Sequence, residues 1–454
     1  MQQRMTPPSQ GNTPAAATAS AARPSRSRAE QTVDANFRDL DQSIPANARV
    51  LEAFLTTQKR QPLKGVTALL IQHQLGNHVL QARALVHLGL NPENLIWLDV
   101  PYTSNSAVRV VLEALGIPRR NLIVHDYKVL QPYAPYQLRR TQAIYTELLA
   151  NPPDRLLVLD DGAYFLDAMS TMKGRLPRVA VVEQTTRGLI KLEESATMQA
   201  CARTLPVVNV ARSRPKLTLE PPFIGRAICS ALISRLETFP HCLSGPALVL
   251  GFGAIGRRVT ESLVACMNQN RHSVFVHDPD PKRRRQARKA GYKLWDRNDN
   301  HTRFRLVIGC SGRSSFTIGD MVHLEDGAVL ASASSGSVEL SRQDFIDLAD
   351  SSDLDDLAVL RNGLDESNVH SDIHFQLVDR QATFLNGGFP INFDGRVNCM
   401  PTRYIQPTVA MMVAAAIQAV STTENYLIDL DPKFCTWLDR TFRAELGEES
   451  LVLS

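Results

Sequence analysis

The sequence predicts an α/β protein built from two doubly wound, Rossmann-like domains, each with a parallel sheet, and a cleft between them. Three observations support this prediction. Short apolar runs alternate with amphipathic helical stretches, as in parallel sheets covered by helices on both faces. Most of these runs end in a polar residue, at the sheet edge where such folds bind ligands. One run leads directly into a glycine-rich turn at residues 251–256.

The composition is typical of a soluble globular protein. The chain of 454 residues is long enough for two or three domains with full cores. Its hydrophobic content of 44% and charged content of 21% are ordinary. The net charge of +4 indicates neither a nucleic-acid partner nor a membrane partner. The seven cysteines form no CxxC pair, which predicts a reducing, cytoplasmic environment. No apolar run reaches the ~18 residues of a membrane span.

Composition also suggests the domain boundaries. Residues 1–30 are rich in Pro, Ser, Ala and Thr, which predicts a disordered tail, with a transit peptide as the alternative. We expect a substrate domain over 31–222, completed by about 393–425. A NAD-binding Rossmann domain is expected over 223–392, and a helical C-terminal tail over 426–454.

Six apolar runs in the first half are predicted strands, and each of them ends in polar residues. These polar residues are His73, Asp99, Asp126, Asp160 with Asp161, Glu183 with Gln184, and Asn209. Helical stretches lie between the runs, at 79–88 and 107–115 for example, and a broken apolar stripe predicts helix over 31–60. Because the carboxyl ends of parallel strands meet at one sheet edge, we expect the substrate to bind there.

The glycine-rich turn has the layout of a dinucleotide-binding fingerprint. Gly251 permits the tight turn, Gly253 lets the backbone approach a pyrophosphate, and Gly256 lets helix and strand pack closely. Ala254 and Ile255 open the following helix, whose N-terminal N–H groups attract phosphate. The alternative is a glycine turn in an α/β domain that binds no cofactor.

A second strand supports the fingerprint. It ends at Asp278, 22 residues after Gly256 and close to the ~20 expected for the acid that holds the adenosine ribose. The basic run at 282–285 leaves NADP as an alternative, but the Asp278 carboxylate would repel a 2′-phosphate, so we expect NAD. Further apolar runs at 304–312, 327–336 and 382–388 predict the remaining strands of this domain. The run at 407–420 predicts a buried helix.

In this arrangement the chain resembles the S-adenosylhomocysteine hydrolase family over roughly residues 60 to 425. Five segments carry the resemblance: QPLKG (61–65), LVLDDG (157–162), VVEQTTRGL (181–189), VNVARSRPK (208–216) and the glycine turn. Members of that family oxidise a ribose 3′-hydroxyl with tightly bound NAD. The resulting ketone acidifies the C4′ proton, a thiol leaves from C5′, water adds, and the hydride returns.

That chemistry needs bases and an acid, and the resemblance implies which residues of this chain take these roles. Lys216 falls on the lysine that contacts the 3′-hydroxyl, a role in which a lysine of depressed pKa serves. Asp161 falls on the catalytic aspartate, and His73 on the histidine near the thioether. On the cofactor side, Thr185 and Thr186 fall on threonines that contact the nicotinamide end. Asn386 falls on an asparagine beside the carboxamide.

The chain departs from the family pattern at several of its positions. Gln184 stands in place of the catalytic glutamate, and Glu220 in place of an aspartate. Arg187 replaces the third threonine, and Ser335 replaces a histidine. A later histidine motif and a substrate-side loop are missing, as is the C-terminal motif with which the family reaches a neighbouring subunit. The redox residues are therefore better kept than the elimination residues.

A structural role competes with the functional one at each candidate. His73 could bond only to backbone, Asp161 could cap a helix, Lys216 could lie in a solvated loop, and Gln184 could also be a cap. Arg187 could bind a substrate carboxylate or phosphate, or form a structural ion pair. No His, Cys or Asp cluster has ligand spacing, so no metal site is predicted.

Three functions follow from these residues. The first is an adenosylhomocysteinase-like enzyme that oxidises a secondary hydroxyl of a nucleoside-like small molecule, with Lys216, Asp161, His73 and Glu220 handling protons. The second is a non-catalytic relative that binds NAD(H) or a nucleoside. The third is a hydroxy-acid dehydrogenase, although its Arg, Glu and His set cannot be placed. The resemblance also implies a homo-oligomer.

Overall fold

The structure is a computed structural model that describes residues 27–126, 133–266, 271–299, 301–336, 339–340, 369–376 and 379–453. The predicted tail lies outside these residues up to position 26. Position 28 already begins a helix, which a capping box between Ser27 and Glu30 stabilises.

The first sheet has seven parallel strands among the described residues. They are β1 (Thr67–Ile71), β2 (Leu95–Leu98), β3 (Leu122–Ile123), β4 (Leu156–Asp160), β5 (Val179–Glu183), β6 (Pro206–Asn209) and β14 (Tyr426–Asp429). Their order across the sheet is β14-β6-β5-β4-β1-β2-β3. The direction of winding reverses at β1, between β4 and β2, which makes the carboxyl end of β1 the switch point where α/β sheets bind ligands.

Ten helices of the described chain accompany this sheet. They are α1 (Arg28–Arg38), α2 (Arg49–Leu55), α3 (Gly76–His87), α4 (Ser106–Ala114), α5 (Tyr133–Ala150), α6 (Tyr164–Thr171), α7 (Thr186–Glu194), α8 (Ala196–Ala202), α9 (Arg214–Thr218) and α10 (Pro221–Leu236). The predicted helical stretch over 31–60 is two helices, α1 and α2. Pro45 lies in the break between them, where its missing N–H and fixed φ disfavour helix.

The second sheet also has seven strands within the described ranges. They are β7 (Ala247–Leu250), β8 (Val274–His277), β9 (Lys293–Leu294), β10 (Phe304–Gly309), β11 (Leu324–Ser332), β12 (Ile373–Gln376) and β13 (Gln381–Phe384). The order is β12-β13-β11-β10-β7-β8-β9, with β12 antiparallel and the switch point at β7. Two α/β sheets of doubly wound type confirm the predicted fold class.

Four more helices complete the described fold. They are α11 (Ala254–Cys266), α12 (Pro281–Lys289), α13 (Thr402–Ser421) and α14 (Pro432–Leu446). The long α10 joins the two cores, because Phe223 and Ala227 pack in the first and Ile228 and Leu232 in the second. As predicted, α13 is a buried helix. It is long and apolar enough to cross a membrane by length and composition alone, yet most of it packs inside the protein.

The predicted helical tail begins with a strand instead of a helix. Residues 426–429 form β14, which pairs in parallel with β6 and extends the first sheet. The sequence YLID gives no clear strand signal, because these edge residues, three half-exposed and one exposed, show little alternation between apolar and polar side chains. The helix predicted for this segment follows as α14.

Candidate active site

Four predicted site residues lie at the carboxyl edge of the first sheet. His73 follows β1, Asp161 follows β4, Gln184 follows β5, and Lys216 lies in α9 after β6. These four strands are neighbours in the sheet, in the order β6-β5-β4-β1. Because parallel strands end on the same side, residues that are far apart in sequence gather in one place.

His73 and Asp161 are in direct contact. The Nε2 atom of His73 lies 3.1 Å from a carboxylate oxygen of Asp161, and both side chains are buried. On the other side of the ring, Nδ1 lies 3.0 Å from the hydroxyl of Thr103, which can donate to the Val100 carbonyl. A carboxylate only accepts hydrogen bonds, so Nε2 carries the hydrogen that points to Asp161.

Charges nearby keep Asp161 ionised. Burial alone would raise the pKa of Asp161, but the hydrogen bond and charge of His73, with Lys216 and His78, together lower it below its ordinary value. His78 lies on α3, with its ring centroid 6.0 Å from that of His73. Burial and the neighbouring His73 lower the pKa of His78 to about 3, so this ring stays neutral. No sequence motif points to His78, although the structure places it in the cluster.

Lys216 is held by Glu220, which lies four residues later, just before α10. Its Nζ lies 2.5 Å from a Glu220 carboxylate oxygen, and both side chains are mostly buried. The Thr408 hydroxyl of α13 donates to the same oxygen at 2.7 Å. Glu220 is thus an anchored acceptor beside the lysine, in the position where the resemblance implies an aspartate.

Gln184 ends a chain of buried amides. Gln81 donates from Nε2 to Oε1 of Gln72, and Gln72 donates in the same way to Gln184, both at 2.6 Å. A glutamate at this position would still accept from Gln72. The amide of Gln184 keeps the network neutral and removes the charge that a general base needs.

The loop beneath Gln184 is organised by Glu183. Its carboxylate accepts N–H groups of Ala163 at 2.8 Å and Thr185 at 2.7 Å, and also the Thr185 hydroxyl. Burial and the adjacent Asp160 carboxylate raise the pKa of Glu183, and burial likewise raises that of Asp160. This pair fixes both the loop that carries Asp161 and the start of α7.

The predicted cofactor threonines lie at the start of α7. Thr185 is its N-cap, and its hydroxyl accepts the Gly188 N–H at 3.0 Å while donating to Glu183. That hydroxyl is therefore engaged within the protein. Thr186 is exposed and is the first residue of the helix.

Aromatic rings surround His73. Phe393 stacks on the His73 ring at 4.6 Å between centroids, and Tyr102 lies at 5.7 Å. Phe389 in turn stacks on Tyr102 at 4.9 Å. Tyr102 lies where the family has its substrate-side loop, and Phe389 and Phe393 lie where it has its later histidine motif. The chain departs from the family pattern at both places, so no motif predicts a role for these rings. Their apolar surface excludes water from the His73–Asp161 pair.

Arg187 connects the two lobes of the protein, which are the parts built on the first and on the second sheet. Its Nη1 donates to the Ser335 carbonyl at 3.1 Å, and its guanidinium carbon lies 5.8 Å from the centre of the Tyr133 ring. Nearby, the Tyr102 hydroxyl accepts the Gly336 N–H at 2.9 Å. The position of the family histidine, Ser335, thus takes part in an interlobe contact through its backbone.

The glycine turn has the shape that a dinucleotide requires. Gly251 has a φ of +100°, which disfavours any other residue. A Cβ on Gly256 would lie 2.0 Å from the Gly251 carbonyl oxygen, so only glycine allows this helix to pack against the strand. At Gly253 a Cβ would meet only the Arg283 guanidinium, at 3.6 Å or more. Space is thus open above Gly253, and Ala254 and Ile255 follow it at the start of α11.

Asp278 is tied to this turn. One carboxylate oxygen accepts the Phe252 N–H at 2.7 Å, and the other accepts the Asp280 N–H at 2.8 Å. Arg283 approaches the first oxygen to 3.6 Å. Each oxygen retains a lone pair for a ribose hydroxyl. These residues therefore fit a dinucleotide at the carboxyl end of β7 and β8.

Asn386 uses its amide within the protein. Its Nδ2 donates to the carbonyls of Pro390 at 2.8 Å and Phe393 at 2.9 Å, and its Oδ1 pairs with Nδ1 of His370 at 2.9 Å. Its φ of +56° and complete burial mark it as the anchor of the segment that carries Phe389 and Phe393. These contacts give its side chain a role in positioning that segment.

Glu339 was not singled out by the sequence. It is buried beside the glycine turn, and its carboxylate accepts from the Ser311 hydroxyl at 2.9 Å and the Gly312 N–H at 2.5 Å, as well as from Ser315 and Ser334. It therefore holds together the loops that follow β10 and β11. A lone Glu after a serine-rich loop gives no signal of this role.

No protein-family model matches the chain. Two strains of Mycobacterium tuberculosis each have an uncharacterized protein that is 27% identical over 380 residues, which is 82% of this chain and 67% of the relative. An adenosylhomocysteinase of Haloquadratum walsbyi is 31% identical over 103 residues, 22% of this chain and 23% of that enzyme. Similarity to a named enzyme thus covers about a fifth of the chain.

Solved structures match the fold weakly. A dipicolinate synthase chain from Bacillus halodurans gives a TM-score of 0.32 at 10% identity, over 61% of this chain and 85% of that one. Ornithine carbamoyltransferase from Pyrococcus furiosus gives 0.24 at 11% identity, over 71% and 86%. The assignment of the fold rests on the strand order of the two sheets.

Proposed function

We propose that the protein holds NAD at the glycine turn and oxidises a secondary hydroxyl of a nucleoside-type substrate. The observation that carries this proposal is the cluster at the carboxyl edge of the first sheet. There the His73–Asp161 contact of 3.1 Å and the Lys216–Glu220 pair share one electrostatic environment. The open space at Gly253 and the partial similarity to an adenosylhomocysteinase support it.

Lys216 and Glu220 handle the hydroxyl proton in this proposal. Oxidation of an alcohol releases a hydride and a proton, and NAD, when bound, accepts the hydride. Glu220 lies 2.5 Å from the lysine Nζ, so the ammonium can pass a proton to the glutamate, and the resulting amine can then accept the proton of the substrate hydroxyl. The Thr408 hydroxyl keeps the glutamate oriented for this transfer.

Asp161 and His73 act on the carbon next to the new ketone. Asp161 is ionised and can accept a proton from an acidified carbon. His73 directs its Nε2 hydrogen to this carboxylate, and the resemblance implies that it is the acid for the leaving thiol. Elimination of a C5′ thioether followed by addition of water is the finer proposal for these two residues.

A non-catalytic relative that binds NAD(H) or a nucleoside is the second candidate. The neutral amide chain that ends at Gln184 favours it, because the position implied for a glutamate base carries no charge. In that case the nicotinamide would bind but no alcohol would reduce it.

Two measurements on the purified protein distinguish these functions. Denaturation followed by chromatography shows whether nicotinamide is bound. Absorbance in the reduced-nicotinamide band is then followed while adenosine, adenosylhomocysteine and other nucleosides are added. Reduction by any of them supports the enzyme, and bound NAD that none of them reduces supports the second candidate.

A matched pair of variants tests the cofactor site itself. Gly253→Val places a side chain in the open space of the turn. Gly319→Val adds the same atoms at an exposed glycine whose Cβ would meet only Thr317, at 3.7 Å. Loss of bound nicotinamide from the first variant alone supports the proposed site, and equal nicotinamide content in both contradicts it.

A further inference from the structure

Arg187 is a half-buried cation that has no carboxylate partner among the described residues. It lies in the first turn of α7, directly after the loop that carries Gln184. Among the residues that the structure describes, its side chain has one hydrogen bond, to the Ser335 carbonyl, and forms no ion pair. A guanidinium has five N–H donors in a planar fork, so most of its hydrogen-bonding capacity is unused. Partial burial of such a group favours a bound anion, because an uncompensated charge is costly where water is partly excluded.

Three tyrosines line the same space. Tyr102 and Tyr164 are 1% exposed and Tyr133 is 7% exposed. Burial raises the pKa of all three, and the Arg187 charge moderates each increase. Their phenols therefore stay protonated and can donate hydrogen bonds. The oxygen of Tyr102 already accepts the Gly336 N–H, so its own hydrogen is available for a ligand.

This cluster adjoins the catalytic residues. The ring centroids of Tyr102 and His73 are 5.7 Å apart. Burial lowers the pKa of Arg187, but the three tyrosine hydroxyls and then the negative charge of Asp161 raise it overall. The Asp161 charge also adds to burial in raising the pKa of Tyr102, which places these groups in one electrostatic environment. Asp161 is itself engaged with His73, so it does not neutralise the guanidinium by direct contact. A ligand bound at the His73–Asp161 pair would therefore extend toward the Arg187 guanidinium.

We infer that Arg187, Tyr102 and Tyr133 form a subsite for an oxyanion, so that the substrate is a hydroxylated acid with a carboxylate or a phosphate. The fork of Arg187 suits two oxygens of one anion, and the tyrosine hydroxyls supply further donors. This inference rests on the proposed function, since it names the class of its substrate. It also explains why the position implied for a threonine is an arginine here.

Binding of simple oxyanions tests the subsite without any turnover. The thermal midpoint of the purified protein is followed while sodium phosphate or sodium malonate is added, at an ionic strength held constant with sodium chloride. The two salts distinguish a phosphate site from a carboxylate site. We expect one of them to stabilise the wild type in a saturable way, with an apparent affinity at least about tenfold weaker in Arg187→Gln.

Two further variants complete the test. Arg313→Gln removes an equal charge from an exposed arginine paired with Glu194, and it should respond as the wild type does. Tyr102→Phe keeps the ring but removes the hydroxyl, and it should weaken the response even if Arg187→Gln does not fold. A wild type that responds to neither salt, or variants of Arg187 and Tyr102 that respond as the wild type does, would overturn the inference. Failure of every alcohol to reduce bound nicotinamide would instead count against the proposed function alone.

Discussion

The buried His73–Asp161 contact should contribute measurably to stability as well as to activity. In Asp161→Asn the amide oxygen can still accept from Nε2 at the observed 3.1 Å, but the negative charge is lost. A hydrogen bond to a charged group contributes about 1.5–3 kcal/mol, and full burial of both side chains places this one within that range. The variant replaces this charged hydrogen bond by a neutral one that contributes about 1 kcal/mol, so we expect it to lose about 1 kcal/mol of unfolding free energy at neutral pH.

The loss should depend on pH in a defined direction. The pKa of Asp161 is lower in the folded protein than in the unfolded chain, so its ionised form stabilises the fold. That contribution is complete above the unfolded pKa of about 3.9 and disappears as the pH falls through the folded pKa. The difference between wild type and Asp161→Asn should therefore shrink steadily below about pH 4.

Urea unfolding of four proteins measures this contribution. The wild type, Asp161→Asn, His73→Gln and the double variant form a cycle, followed by circular dichroism at neutral and acid pH. We expect a coupling energy of about 1 kcal/mol at neutral pH. Asp379→Asn, which removes an exposed carboxylate paired with Arg380, is the control and should leave the urea midpoint unchanged. Single-variant losses that add to within about 0.5 kcal/mol would show that the two side chains are not coupled.

Three other predictions follow from the geometry of the two lobes. Gly256→Ala should lose bound nicotinamide and about 1–3 kcal/mol of unfolding free energy, because its Cβ would overlap a backbone oxygen. Gly253→Ala should keep its stability, and chromatography and thermal unfolding check both variants. Gln184→Glu should be less stable than the wild type at neutral pH, because a buried carboxylate beside two others has a raised pKa. The stability of the variant should approach that of the wild type below about pH 4, where the carboxylate is protonated in the folded and in the unfolded chain. A pH series of thermal midpoints checks this. Thr408→Val should lose about 1 kcal/mol of unfolding free energy, because it removes the hydroxyl that donates to Glu220. Steady-state kinetics should show kcat lowered by a larger factor than KM is raised.

The strands and their polar ends could be predicted from sequence. Apolar runs such as VAVVE match the length and position of β5, and the residues after them lie at one sheet edge because all strands of that sheet are parallel. The glycine turn was predictable for the same reason, since only glycine satisfies its backbone angle and its close packing. The sequence pattern of a single strand or turn was sufficient to predict the place of a residue wherever that one element determines it.

Contacts between distant segments could not be predicted in this way. Tyr102 and Phe393 both contact His73 although they are far apart in the sequence, and neither belongs to a motif. The resemblance implies a place for Asn386 beside the cofactor carboxamide, but no motif predicts that its amide also holds the segment that carries Phe393. The short edge strand β14 was missed because its pairing with β6, and not its own pattern, makes it a strand.

The proposed function depends above all on Lys216, at the edge of the first sheet. In the proposal this lysine takes part in oxidation of the substrate by a nicotinamide that is held at the glycine turn of the second sheet. The decisive measurement is the absorbance of bound nicotinamide after a hydroxylated substrate is added to wild type, Lys216→Met and Lys191→Met. Lys191 is a matched control, because it pairs with Asp167 on α6 and lies in the same lobe. We expect reduction in the wild type and in the control, and a loss of at least about a hundredfold in rate in Lys216→Met. Equal rates in all three proteins would contradict the proposed role of Lys216.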